Sequence, residues 1–245
     1  MLRSSFILAI LLMILLGACA KEDEQPVPVP AADMILQVRH QAGADSLVLE
    51  RTFYKNSSGN ALRVTKLKYF LSGFVLYAAG RPAYSYEVPQ LIHAAYPGEN
   101  IPVLPDVPFG KYDSLRLSLG VIPAWNSSGS ITLQPNNYGM YWPEELGGGY
   151  HFMKLEGHWT HDSGFGTYAF HIGQNENIVT CTLPLELEHR DERPGKLRLT
   201  MDILEWFDHP YRYDLRYEDG YTMANGPQMA ILKRNGHNVW QIEVL

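Results

Sequence analysis

Apolar and polar side chains alternate with a period of two along much of the chain. Leu36, Val38 and His40 alternate with Gln37 and Arg39, and Leu47 and Leu49 follow a turn at Gly43. Leu115, Leu117 and Leu119 alternate with Ser114, Arg116 and Ser118, and Leu197, Leu199, Met201 and Ile203 with Arg198, Thr200 and Asp202. Successive strand residues point to opposite faces, so this pattern predicts half-buried strands. Further strands are predicted over 62–70, 73–78, 149–158, 165–172, 178–187 and 238–244. Turn signals such as Ser57-Ser58-Gly59-Asn60, Arg193-Pro194-Gly195 and Asn235-Gly236 separate most of them. Helix is expected only at Glu205 to Phe207 and between Tyr221 and Lys233. The expected architecture is all-β: a single-domain antiparallel β-sandwich with long loops and little helix. Two connections, 80–110 and 120–148, are long and rich in Pro, Asn and aromatic residues. Function is expected there.

The first thirty residues follow a different pattern. Arg3 precedes an uninterrupted apolar run from Phe6 to Leu16, the length of a signal-peptide core and too short to span a bilayer. Leu16-Gly17-Ala18-Cys19 then resembles the lipobox read by lipoprotein signal peptidase. Residues 1–18 are therefore expected to be a lipoprotein signal peptide, with Cys19 the lipidated residue. Residues 19–32, acidic and then Pro-rich, are expected to be a solvated tether, and residues 33–245 the β-sandwich domain. Lys21-Glu22-Asp23-Glu24 is similar to the export signal of Bacteroidota surface lipoproteins. The expected location is the outer membrane, through the lipid anchor, facing outward.

Composition narrows the function. Lys and Arg number 20 against 26 Asp and Glu, a net charge of −6, which argues against nucleic acid as a partner. With Cys19 lipidated, Cys181 is the remaining cysteine, so no intramolecular disulfide is expected and the core must carry stability. Cys181 lies in a strand-like run, Ile178 to Leu183, where a buried structural thiol is expected. The sequence holds no G-x-S-x-G elbow, P-loop, H-E-x-x-H or G-x-G-x-x-G motif, and a non-enzyme is expected. Glu144-Glu145 and Asp191-Glu192 read as solvated faces.

Histidine is the informative residue type. His40 shares the parity of Leu36 and Val38 and should point toward the core. His171 is opposite in parity to Phe170 and Ile172 and lies beside Ala169 and Gly173, whose small side chains leave room around its ring. His151, His158 and His161 cluster in one run, where His158 shares the parity of Lys154 and Glu156 and His151 is opposite to them. Imidazoles without thiolates suit copper or zinc. Spacing alone leaves open that each is a core histidine satisfied by its neighbours.

A series of segments in order adds a family resemblance. The run VTKLKYFLS at 64–72, His40-Gln41-Ala42-Gly43, Phe109-Gly110-Lys111-Tyr112, Gly139-Met140-Tyr141-Trp142, Gly149-Tyr150 through Leu155-Glu156-Gly157, and Phe170-His171-Ile172-Gly173 resemble the MbnP-like family. That family is named for a methanobactin-associated copper-binding protein and is related to the copper proteins MopE and CorA. The resemblance implies copper binding through histidines and a tryptophan oxidised to kynurenine by a di-haem peroxidase of the MbnH type. Residue by residue it implies His40 and His171 as ligands and Trp142 as the tryptophan; His151 and His158, which the resemblance does not support, form a second rank. Pro143 to Gly148 replaces the family's usual "tWns" stretch, so a second tryptophan is absent here.

Two functions follow. One is a non-catalytic copper-binding lipoprotein that captures copper or hands it over outside the cytoplasm. The other is a surface β-sandwich that binds a glycan or a protein, with Tyr84, Tyr86, Tyr138, Tyr141 and Trp142 as its platform. A TonB-dependent transporter would be the expected companion of the second.

Overall fold

The computed structural model describes residues 29–51, 53–96, 98, 101–191, 193–223 and 226–245. The expected signal peptide, Cys19 and residues 20–28 of the expected tether lie outside them. Among the described residues no helix is long and apolar enough to cross a membrane.

Among the described residues fourteen strands form two sheets. The smaller contains β1 (Ala31–Ala42), β2 (Asp45–Ser46), β7 (Val103–Pro108), β12 (Gly195–Asp202) and β14 (Trp240–Val244). The larger contains β3 (Tyr54–Lys55), β4 (Ala61–Ala78), β5 (Arg81–Tyr86), β6 (Gln90–His93), β8 (Gly110–Leu119), β9 (His151–His161), β10 (Gly164–Gly173), β11 (Val179–His189) and β13 (Tyr221–Thr222). The alternating residues named above supply the shared core. Leu36, Leu115, Leu117, Leu119, Leu197, Leu199 and Met201 are fully buried in one cluster that joins both sheets. Cys181 is buried on β11, and burial pushes its thiol up to about 11, as an inert structural thiol requires.

The sandwich is mixed rather than purely antiparallel. β1 pairs with β12 in parallel, Leu36 opposite Leu197 and His40 opposite Met201, and β10 pairs with β13 in parallel. Parallel neighbours need a long crossover; between β1 and β12 the chain builds all of the larger sheet except β13 before it returns. The domain also starts two residues earlier than expected. Ala31 and Ala32 already pair with Pro108 and Val107 of β7.

Other departures have local causes. The runs 62–70 and 73–78 are one strand, β4, because Gly73 at φ +60 absorbs a bulge between Ser72 and Val75. Ser72, fully buried, satisfies that bulge by donating to the Gly120 carbonyl and accepting from the Ile122 amide. Leu47 and Leu49 lie outside the strands and pack against the core from a loop. The Tyr54 hydroxyl fixes that loop, accepting from the Val48 amide and donating to the Ser46 carbonyl. Connection 80–110 holds β5, β6 and β7; its prolines disguise them by interrupting the alternation. Connection 120–148 is the long loop expected, with three short 3-10 turns at Pro123–Trp125, Pro135–Met140 and Glu144–Leu146. The helices α1 (Glu205–Asp208) and α2 (Pro227–Asn235) fall where helix is expected.

Candidate metal centre

The site is built on the antiparallel hairpin of β9 and β10, where one face serves the core and the other meets the loop 120–148. Met153, Leu155, Phe170 and Ile172 are fully buried in the core cluster. Lys154, opposite His171, and Glu156, opposite Ala169, point the other way. At the end of the hairpin the register slips: Ile172 pairs with Met153, but Gly173 pairs with His151, so Phe152 is skipped. The bulge turns His151 onto the face of Gly173 and His171. Strict alternation had placed it opposite Lys154 and Glu156. The sequence carries a trace of this: the adjacent apolar pair Phe152-Met153 breaks the period of two.

Trp142 closes the site from above. The turn from Pro143 to Gly149 brings the chain back through Gly147, Gly148 and Gly149, all at positive φ, a conformation glycine adopts without a Cβ penalty. The Trp142 amide donates to the Gly149 carbonyl, and its indole N–H donates to the Leu146 carbonyl at 3.2 Å. Its ring is 2% exposed and lies over Gly173. The Trp142 and His151 ring centroids are 4.7 Å apart, and those of His151 and His171 are 5.2 Å apart at an interplanar angle of 88°. Lysines tie the loop to the sheet. Lys68 Nζ donates to the Asn136 carbonyl at 3.1 Å and to Asn137 Oδ1 at 2.9 Å, and Lys154 Nζ donates to the Gly139 carbonyl at 3.2 Å.

The two imidazoles differ. His151 is 3% exposed, and neither ring nitrogen makes a hydrogen bond of regular geometry, although the Tyr141 and Met140 carbonyls lie near the ring. Burial pushes its pKa down to about 3; Lys154 and His171 add to this, and the nearby Tyr141 and Met140 carbonyls oppose it only in part. It is therefore neutral, with a bare lone pair. The His171 Nε2 donates to Glu156 Oε1 at 2.9 Å, while Lys66 Nζ donates to Glu156 Oε2 at 2.7 Å. The His171 hydrogen bond, helped by Lys66 and opposed by burial, holds the Glu156 carboxyl at about 2. Among the described residues, no three His, Cys, Asp or Glu side chains form a group that could hold an ion. The donor set is two imidazoles beside an indole. Zinc, which takes four ligands in structural sites, fits this poorly; a low-coordinate copper ion fits it better.

His40 is placed elsewhere. Its Nε2 is 2.8 Å from the Tyr69 hydroxyl in an edge-to-face contact. Tyr69 is fully buried and packs on Trp240 of the opposite sheet. His40 thus lies between the sheets and His171 on the outer face of the larger one, so the structure does not bring them together. Burial lowers the His40 pKa to about 4. His158 is half-buried on β9, opposite Arg63 and Thr167 and on the face of Glu156, beyond the Trp142 cluster. The five aromatics of the expected platform do not form one. Trp142 is buried, Tyr84 donates its hydroxyl to the Pro105 carbonyl, and Tyr84 and Tyr86 pair beside Leu76 and Phe74, whereas Tyr138 and Tyr141 stack toward Tyr150.

Gly173 tests the seating of Trp142. A Cβ there would overlap the six-membered ring of Trp142, so Gly173→Ala should displace the indole and cost about 1–3 kcal/mol by overpacking. Denaturant midpoint and the near-ultraviolet dichroism of tryptophan read this out. Gly164→Ala is the control, since its Cβ would make only ordinary contact with Trp159 at 3.8 Å.

A family model described as MbnP matches residues 31–225. Among solved structures the chain is similar to MbnP from Methylosinus trichosporium. The identity is 13% and the TM-score 0.50, with 88% of this chain and 99% of that chain covered. No curated protein matches.

Proposed function

The chain belongs to the MbnP family, and from that premise we propose that it is a non-catalytic copper-binding lipoprotein, with Trp142, His151 and His171 around the ion. The observation that carries this reading is His151. Its buried imidazole has the Tyr141 and Met140 carbonyls nearby but no well-aligned hydrogen bond at either nitrogen, so it recovers only part of what it forfeits to water, a cost that an ion on its bare lone pair would offset. The resemblance to copper-binding MbnP-like proteins supports copper as the ion, and the two-nitrogen donor set suits Cu(I). Trp142 is the indole against His151, so oxidation to kynurenine by a di-haem peroxidase of the MbnH type would fall on it. Attachment to the outer membrane through lipidated Cys19, with the domain facing outward, completes the proposal. Copper is then cargo, captured and handed over, rather than a reagent.

Copper(I) titration against a competing chelator tests it. Wild type should bind one equivalent. Loss of a partner one shell out from a metal costs about 10–100-fold, so His151→Ala and His171→Ala should each lose more than that, while His40→Ala keeps wild-type affinity. Absence of binding by wild type, or loss in His40→Ala with the other two unaffected, rejects the site.

A further inference from the structure

We infer that Glu156 is a positioning residue that fixes which nitrogen of His171 is offered to an ion. The inference rests on the proposed copper site. Glu156 stands on the central strand of three, opposite Lys66 on β4 and Ala169 on β10. Ala169 is small, so the carboxylate can lean diagonally across it to His171. Each carboxylate oxygen takes one donor: Oε1 accepts from His171 Nε2 at 2.9 Å and Oε2 from Lys66 Nζ at 2.7 Å. An ionised carboxylate only accepts, so the proton of a neutral His171 imidazole must sit on Nε2. The bare lone pair is then on Nδ1. Lys66 holds the second oxygen, which keeps the carboxylate from turning away. A carboxylate that binds the far nitrogen of an imidazole orients the ring, selects its tautomer and raises its basicity as a ligand.

The alternative role is that of a cross-strand ion pair that only helps hold the hairpin. Long-range proton–nitrogen correlation spectra of the metal-free protein separate the two. Wild-type His171 should show the Nε2–H tautomer. Glu156→Gln has one oxygen for two donors; with that oxygen on Lys66 its amide N–H meets His171 Nε2 and should favour the Nδ1–H tautomer, whereas Glu156→Ala should give a mixture. Copper(I) affinity should fall about 10–100-fold in Glu156→Ala and at least as far in Glu156→Gln, with the thermal transition of both close to wild type. An Nδ1–H tautomer in wild type, a tautomer unchanged in Glu156→Ala, or full copper affinity in Glu156→Ala overturns the inference. Wild type that binds no copper would reject the proposed function, while the tautomer in the metal-free protein would still decide the role of Glu156.

Discussion

Leu117→Asp is expected to leave no folded domain. Leu117 is fully buried on β8 opposite Cys181 of β11, inside the cluster that joins the two sheets. The substitution removes about 1.5–3 kcal/mol of side-chain burial and places a carboxylate where no cation or donor awaits it. The carboxylate must either ionise unpaired or take up a proton, and the effective penalty is several kcal/mol. The sum rivals the total stability of a domain, about 5–15 kcal/mol. Far-ultraviolet dichroism and gel filtration at neutral pH should report an unfolded or aggregated chain. Lys111→Gln, at an exposed position of the same strand, should fold as wild type. A cooperative unfolding transition in Leu117→Asp would mean that the core described here is misplaced.

The second large effect is acid sensitivity through His40. Its folded pKa is about 4, against about 6.5 in an unfolded chain. Between those values the unfolded state binds a proton that the folded state refuses, so stability falls as pH drops from 6.5 to 4. Above 6.5 and below 4 this group contributes no slope. Integrated over the window, the loss is up to about 3 kcal/mol. His151, at about 3, and His93, lowered to about 4 by burial, Lys68 and Lys66, act in the same direction. Glu156 and Asp214, both held at about 2, add a separate loss that begins only in the carboxylate range below. Urea unfolding at several pH values from 7 to 4 measures the slope. His40→Phe alone leaves the buried Tyr69 hydroxyl without its partner, which costs about 1–3 kcal/mol. Paired with Tyr69→Phe, that cost should largely vanish and the slope should shrink by the share of His40. An unchanged slope in the double variant would assign the acid sensitivity to other groups.

The strands could be read from the sequence wherever one face is buried and the other wet. Leu36 to His40, Leu115 to Leu119 and Leu197 to Ile203 alternate because their sheets have one core side, and all lie in strands of the structure but Ile203, buried just past the end of β12. The direction of pairing was not legible. Whether β1 meets β12 in parallel depends on how the chain between them returns, not on either strand. Proline hid β5 and β7, and Gly73 made one strand look like two. The site was legible in part. Trp142 and His171 come from the resemblance, and the structure brings them together. His151 ranked second because the resemblance assigns no ligand there, and parity, which set it opposite Glu156, misleads because the bulge at Phe152 reverses its face. His40 has the burial of a ligand and the environment of a satisfied core histidine; only the Tyr69 hydroxyl, 29 residues away, distinguishes the two.

The hairpin of β9 and β10 carries two texts on one backbone. Met153, Leu155, Phe170 and Ile172 spell the core, and Glu156, His171 and Gly173 spell the surface cluster, on alternate letters. Selection can therefore revise one text and leave the other intact: a lineage could lose its histidines and keep the sandwich, or acquire another pocket on the same scaffold. The extra residue at Phe152 is where the texts are bound together. Deleting it would place His151 directly before Met153, still opposite Gly173 and still on the outer face, and would remove the buried Phe152 ring from beneath the site. A register shift that kept every residue and paired Phe152 with Gly173 would instead turn His151 toward the core and dismantle the pocket, while the pairing from Met153 onward stayed as it is.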